Sequence, residues 1–154
     1  RGVARPATVW LTYAVGALTV RLFGGRLPDR VGTHNLVAPA LAAYIGGCAL
    51  AATATDLNEF LVAGLFAGVG HGYCFPVLTA MVVSRTPSAF RGSALTSFTA
   101  IWALAELLGT PAFGAVADSR GDQAMFWLVC AFGAAAVALW ALMEHRTRLG
   151  ATVL

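Results

Sequence analysis

Five long apolar stretches alternate with short polar connections along almost the whole chain. The stretches cover about residues 7–23, 35–54, 60–83, 92–117 and 124–143. Each approaches the ~20 residues that a helix needs to cross a hydrocarbon core of ~30 Å. Helices are expected because lipid offers no partner for backbone N–H and C=O groups, which must bond within their own segment. The pattern predicts an all-α integral membrane fold: residues 1–154 as a single membrane domain of five transmembrane helices, with consecutive helices antiparallel.

The composition supports a membrane protein. Of the 154 residues, 58% are hydrophobic and only 11% are charged, whereas about a quarter are charged in a typical soluble domain. The net charge of +3 is too small to indicate nucleic acid, and the expected surroundings are the lipid bilayer. The three cysteines, Cys48, Cys74 and Cys130, lie in separate apolar stretches without metal-like spacing. We therefore expect neither a metal site nor a cofactor.

The basic residues, all of them arginines, predict an orientation. Antiparallel helices place seven arginines on one side of the membrane (Arg21, Arg26, Arg30, Arg85, Arg91, Arg146 and Arg148) and three on the other (Arg1, Arg5 and Arg120). Cytoplasmic loops carry the excess of basic residues in membrane proteins. The distribution predicts a multi-pass protein of the cell or inner membrane with a cytoplasmic C-terminus.

Between the first two spans lies a short charged segment, residues 25–32, with glycine at both ends. Pro28 followed by Asp29 predicts a tight loop rather than a helix. Two arginines and a carboxylate would be costly in lipid, so we expect this loop at the membrane surface. There, Asp29 could accept hydrogen bonds from Arg91 or face the positive N-terminal end of the fourth helix.

This segment resembles the G-x-L-x-D-R-x-G loop of major facilitator superfamily (MFS) transporters, with matches at Gly25, Leu27, Asp29, Arg30 and Gly32. In that family the loop joins the second and third helices and recurs between the eighth and ninth. The resemblance implies that Asp29, Arg30 and Arg91 belong to a network that latches the cytoplasmic helix ends in one conformation and is released in the other.

The order of features after the motif is similar to helices eight to twelve of the family. It comprises a glycine-rich helix, an Arg-Gly pair before the next helix, Gly-x-Pro near that helix's end, and a short basic tail. The resemblance implies a fragment, part of a six-helix C-terminal half, with the N-terminal half of the transporter as a missing partner. Helices two to six are the alternative placement. An odd helix count and a start at Arg1-Gly2 without methionine agree with a fragment.

Within the fourth span, Glu106 is the residue best suited to chemistry. It lies about 14 residues in, hence roughly 21 Å deep, and the i, i+4, i+8 spacing of Phe98, Trp102 and Glu106 puts them on one face. An intramembrane carboxylate is a candidate proton carrier or counter-charge for a cationic substrate. The structural alternative is a protonated glutamate that hydrogen-bonds with a neighbouring helix.

Besides Glu106, the candidates for the substrate or proton pathway are His71, Arg21, Tyr13 and Trp102. His71 lies about 11 residues into the third span, roughly 16 Å deep, where it could relay protons or only bond with a neighbouring helix. Arg21 shares a face with Tyr13 and Ala17. It could snorkel to the interface, or bind a substrate anion if it turned towards the bundle interior.

Small residues and prolines predict the shape of the helices. Gly64, Gly68 and Gly72 recur every four residues in the third span, a spacing that lets two helix backbones approach closely. Pro76 and Pro111 lie inside the third and fourth spans, where each removes a backbone hydrogen bond and should bend its helix. In transporters such breaks can line a cavity or act as gating points.

The favoured function is secondary transport of a small solute by alternating access, for which proton-coupled efflux is one candidate mode. A non-transporting membrane module that folds only with a partner half is the main alternative. An enzyme is disfavoured because Ser97, Cys74 and His71 form no recognisable nucleophile–base pair. The residues do not distinguish a drug exporter from a sugar or metabolite permease.

Overall fold

The computed structural model describes residues 6–151, and the side chains of residues 7–145. The described chain is helical, with the elements α1 (Pro6–Phe23), α2 (Leu27–Val31), α3 (Thr33–Thr53), α4 (Leu57–Arg85), a 3₁₀ turn (Ser88–Phe90), α5 (Arg91–Arg120) and α6 (Asp122–Ala151). Of the arginines used above to predict the orientation, Arg1 and Arg5 and the side chains of Arg146 and Arg148 lie outside the described set.

Four of the described helices are long and apolar enough to cross a membrane, namely α3, α4, α5 with its preceding turn, and α6. The remaining apolar helix is shorter and covers Ala7–Phe23. The predicted fold class, an all-helical membrane protein forming part of a transporter-like bundle, is confirmed.

The connection between α3 and α4 is held by a reciprocal cap. The Asp56 carboxylate accepts a hydrogen bond from the Glu59 backbone N–H at 2.9 Å. In return, the Glu59 carboxylate accepts hydrogen bonds from the backbone N–H and hydroxyl of Thr55. These bonds satisfy donors that a helix start leaves without partners, and so they fix where α4 begins.

Helix α4 is the centre of the bundle. It packs against α1 on one side and α3 on the other, α3 packs in turn on α6, and α5 contacts α6 and α4 at the edge. Near one end of the bundle, Leu36 and Val37 of α3 form a buried cluster with Val77 and Met81 of α4. Trp140 of α6 packs against this cluster, so three helices share one apolar core.

Glycines make the α1–α4 contact unusually close. A methyl group added at Gly72 would lie 3.0 Å from both the Cα and the carbonyl oxygen of Ala17, and one at Gly64 would lie 2.9 Å from the Val9 carbonyl oxygen. Gly68 faces the Tyr13 backbone even more closely. Gly64, Gly68 and Gly72, which form a glycine stripe on α4, therefore all face α1, and the space between the two helices has no room for a side chain at these positions.

A second glycine contact, which the spacing rule did not indicate, joins α4 to α3. Gly70 of α4 lies against the backbone of Tyr44, and Gly47 of α3 lies against Ala63 and Ala67. Helix α4 thus approaches a neighbour closely on two faces. This double contact makes α1, α4 and α3 a tightly packed unit.

The packing of α5 is much looser. None of its residues is fully buried, and Ile101, Leu104 and Leu107 are each more than half exposed. Pro111 lies inside this continuous helix, as Pro76 does inside α4. The residues that the sequence indicated for chemistry in the fourth span therefore lie at an open edge of the bundle.

Candidate functional site

Aromatic side chains from three helices meet beside α5 and form what we call the aromatic cluster: Tyr13, His71, Phe75, Phe98 and Trp102. The ring centroids of Tyr13 and His71 are 5.5 Å apart, and those of His71 and Trp102 are 6.3 Å apart. Trp102 also meets Phe75 edge-on at 5.3 Å and Phe98 at 6.3 Å. These spacings are typical of interacting rings, so the cluster links α1, α4 and α5.

Helical periodicity and the glycine contact explain why these side chains meet. His71 and Phe75 are four residues apart on α4, as Phe98 and Trp102 are on α5, so each pair projects from one face. The close α1–α4 approach brings Tyr13 within reach of His71. Tyr13, His71 and Trp102, three of the predicted pathway residues, are thus brought together by the fold.

Glu106 lies one turn beyond Trp102, at a cleft of about 470 Å³ between α5 and α3. The cleft is lined by Tyr44, Phe98, Ile101, Trp102, Ala105, Glu106, Gly109, Thr110 and Phe113. The Glu106 side chain is exposed, and no described residue pairs or hydrogen-bonds with it. The cleft therefore combines one available carboxylate with aromatic walls.

Two opposite charges act on the histidine of the cluster. The Arg21 guanidinium on α1 and the Glu106 carboxylate on α5 both lie within electrostatic range of His71, and Arg21 also acts on Tyr13. Coulomb interactions of this kind are screened less in a low-dielectric environment than in water. Electrostatic interactions therefore connect Arg21, Tyr13, His71 and Glu106, and a ring contact adds Trp102 to the group; Arg21 lies at its exposed margin.

The charged motif contains a helical turn, so the predicted tight loop is wrong. Residues 27–31 form α2, with Pro28 in its first turn, where proline is tolerated because the N–H it lacks needs no intrahelical partner. Gly32 follows with φ of +85°, a conformation that favours glycine. The Gly32 N–H donates to the Pro28 carbonyl oxygen at 3.0 Å.

Asp29 and Arg91 are not paired in this structure. The Arg91 Nε–H donates to the Thr86 carbonyl oxygen at 3.3 Å, and Asp29 forms no ion pair within the described residues. At the start of the motif, a methyl group on Gly25 would lie 2.9 Å from the Arg21 carbonyl oxygen. Gly25 and Gly32 thus have a local backbone role, and the latch function of Asp29, Arg30 and Arg91 stays a proposal.

Sequence reasoning missed several contacts of this region. Arg85 at the end of α4 forms a 2.7 Å ion pair with Glu144 of α6. Because the two residues are 59 positions apart, the sequence indicates only that they lie on the same side of the membrane and does not predict that they pair. Phe75 could have been found from its i+4 spacing to His71, whereas the Tyr44 position depends on the α3–α4 crossing, which the sequence pattern does not specify.

Comparisons with known proteins agree with this architecture. The family model described as Major Facilitator Superfamily matches residues 7–152. An uncharacterized MFS-type transporter of Salmonella typhimurium is 30% identical over 135 residues, which are 86% of this chain and 35% of that protein. A second uncharacterized MFS-type transporter, from Mycobacterium tuberculosis, is 32% identical over 125 residues, 78% of this chain and 21% of that protein.

A third relative carries a more specific name. Multidrug resistance protein 3 of Bacillus subtilis is 27% identical over 128 residues, 81% of this chain and 25% of that protein. The chain thus spans about a third or less of the length of these curated relatives. No solved structure matches it.

Proposed function

This chain belongs to the major facilitator superfamily, and on that basis we propose that it is part of a secondary transporter that moves a small solute across the membrane by alternating access. It is an integral membrane protein, as its apolar helices and its family indicate. The single observation that carries the proposal is the open cleft in which Glu106 and Trp102 lie together.

We assign the chain to helices eight to twelve, with α1 as the eighth and the C-terminus in the cytoplasm. Its match to only a third or less of each relative supports additional helices in the whole protein. The loose packing of α5 supports a partner on that side, because Glu106 and the apolar side chains of Ile101, Leu104 and Leu107 stay exposed among the described residues. In this family architecture the solute pathway runs between two halves.

The chemistry of the cleft favours an aromatic or lipophilic organic cation as the solute. A carboxylate supplies the counter-charge, and the faces of Trp102, Phe98 and Tyr44 attract cations through their ring quadrupoles. The name of the multidrug relative agrees with such a solute. A proton and the cation would compete for Glu106, so protonation on one side of the membrane would release the cation there.

The experiment measures ethidium efflux by the full-length transporter in inverted membrane vesicles under an imposed proton gradient. Glu106→Gln should abolish proton-driven movement and should also weaken ethidium binding and exchange, because the neutral amide imitates the protonated carboxyl group that releases the cation. Asp118→Asn is the matched control, because it removes an exposed carboxylate from the same helix away from the cleft. An unchanged pH dependence in Glu106→Gln would show that this carboxylate is structural.

A second experiment tests whether additional helices are required. The chain alone, reconstituted in liposomes, should give no saturable ethidium flux, because five helices do not enclose a pathway between two halves. Saturable flux through the chain alone would contradict the half-bundle assignment. Absence of flux in the full-length protein, for ethidium and for neutral solutes alike, would favour a non-transporting membrane module instead.

A further inference from the structure

A separate cavity of about 450 Å³ lies where α1 ends and the charged motif begins. It is lined by Phe23, Gly24, Arg26, Leu27, Arg30 and Tyr73. The Tyr73 hydroxyl reaches from α4 and donates to the Gly24 carbonyl oxygen at 3.3 Å, which ties two of the lining residues together. The cavity has no residue in common with the cleft that contains Glu106.

Two arginines without acidic partners give this cavity its charge. Arg26 and Arg30 are four residues apart at the two ends of the α2 turn, so their side chains project from the same face of that turn. Neither forms an ion pair within the described residues. Asp29 is the one carboxylate in residues 21–33, where Arg21 adds a third cation. Guanidinium groups bind phosphate oxygens in a forked geometry, so the cavity favours a phosphate ligand.

The apolar surface around the arginines indicates where that phosphate comes from. Leu22 and Phe23 are 67% and 85% exposed, and Val31 is 43% exposed. A soluble phosphate would contact the arginines but not this apolar surface, part of which lies at the end of the first predicted span and so borders lipid. A phospholipid would cover both, because its headgroup lies at the depth of the motif and its acyl chains run along α1.

We propose that this cavity binds one anionic phospholipid, with the headgroup phosphate between Arg26 and Arg30 and the acyl chains against Leu22 and Phe23. Basic pockets beside transmembrane helices are suited to such headgroups. The proposal is independent of the transported solute and of Glu106. It gives the two arginines a ligand of their own, outside any pairing with Asp29.

Native mass spectrometry of the purified full chain in detergent micelles tests the proposal. Phosphatidylglycerol and phosphatidylcholine with identical acyl chains are offered together, and the ratio of retained lipids is measured. The wild-type chain should retain the anionic lipid preferentially. The double variant Arg26→Gln/Arg30→Gln should reduce this preference about thirtyfold, as expected for two arginines near an anionic surface.

The matched control is Arg91→Gln/Arg120→Gln, which removes the same charge from two exposed arginines outside the cavity. This control should keep the preference, and an equal loss in it would overturn the site by showing a diffuse charge effect. An unchanged preference in the Arg26/Arg30 variant would overturn it as well. If millimolar glycerol 3-phosphate removes the wild-type preference, the ligand is a soluble phosphate and the lipid assignment is wrong.

A measurement on the wild-type chain does not depend on how the variants fold. Phosphatidylglycerol with a photoactivatable group next to its phosphate is cross-linked to the chain in nanodiscs, and the labelled peptides are identified. Label within residues 21–33 supports the site. Label confined to other segments would overturn it.

Discussion

Replacing Gly68 by alanine should force apart the two helices that the glycine stripe holds together. A methyl group at Gly68 would lie 2.8 Å from the carbonyl carbon of Tyr13, 3.0 Å from its Cα, and closer still to its carbonyl oxygen. All three atoms belong to the α1 backbone, so a change of side-chain rotamer cannot relieve the overlap. The helix α1 must move as a body.

The size of the effect follows from this geometry. The Tyr13 carbonyl carbon would have to retreat by at least about 0.6 Å, from 2.8 Å to the 3.4 Å at which ordinary contact begins, and the nearer carbonyl oxygen would have to retreat further. Extra volume in a well-packed interior costs about 1–3 kcal/mol. Alanine recovers about 0.5–1 kcal/mol relative to glycine because it restricts the helix backbone. We expect a net loss of about 1–2 kcal/mol in the free energy of unfolding.

Two other glycines provide the matched comparisons. Gly46 of α3 has no atom within 4 Å of an added methyl group, so Gly46→Ala should stabilise the chain by about 0.5–1 kcal/mol. Gly72→Ala should fall between the two, because its nearest contacts are at 3.0 Å. The predicted order of stability is Gly46→Ala, wild type, Gly72→Ala and Gly68→Ala.

The assay is reversible unfolding in mixed micelles with increasing SDS, followed by tryptophan fluorescence and far-ultraviolet circular dichroism. The midpoint and slope of each transition give the free energy of unfolding. A Gly68→Ala chain as stable as the wild type would refute the close α1–α4 approach. An equal loss in Gly46→Ala would show that the effect concerns glycine in helices generally and not this interface.

Three further predictions concern the motif, the orientation and the core. In the full-length transporter, Asp29→Asn should lower ethidium transport about tenfold or more and change ethidium binding less. The reason is the loss, from one conformation, of a charge-assisted contact worth roughly 1.5–3 kcal/mol. An equal fall in transport and in binding would contradict the latch. With the native cysteines replaced, an impermeant thiol reagent applied outside cells should label a cysteine at position 55 and not one at position 33, and the reverse pattern would invert the topology. Trp140→Phe should change the free energy of unfolding by less than about 1 kcal/mol, because the gain from removing a buried indole N–H without a partner offsets the loss of some apolar contact. A loss of about 3 kcal/mol in SDS unfolding would show that this N–H has a hydrogen-bond partner.

The features of the fold that could be predicted are those that depend on the residues of a single helix. The length of each apolar stretch predicts a helix that can cross the hydrocarbon core, and the four-residue spacing from Gly64 to Gly72 predicts a close contact with another helix. The helical turn at residues 27–31 does not follow from treating proline as a helix breaker, because the first turn of a helix accepts proline. The Gly70 contact is not predicted by the four-residue spacing because Gly70 lies against the backbone of Tyr44 in α3 and has no glycine four residues away in α4.

The candidate site shows the same division. The shared face of Phe98, Trp102 and Glu106 follows from helical periodicity and could be predicted. The convergence of Tyr13 and His71 on Trp102 depends on the order in which the helices pack, which no local pattern determines. Arg85 and Glu144 pair for the same reason, since they lie at adjacent ends of two helices only after the bundle has formed.

The contrast between the glycine contacts and the aromatic cluster bears on how the chain could move. Backbone atoms of α1 and α3 lie directly against α4 at the glycines, so sliding there would produce immediate clashes. Helix α5 contacts α4 through ring edges and has no buried residue, and rings at 5–6 Å separation can shift while staying in contact. Any rearrangement in response to protonation of Glu106 should therefore move α5 against a rigid α1–α4–α3 unit. Glu106 would then lie on the helix that moves when its own charge changes.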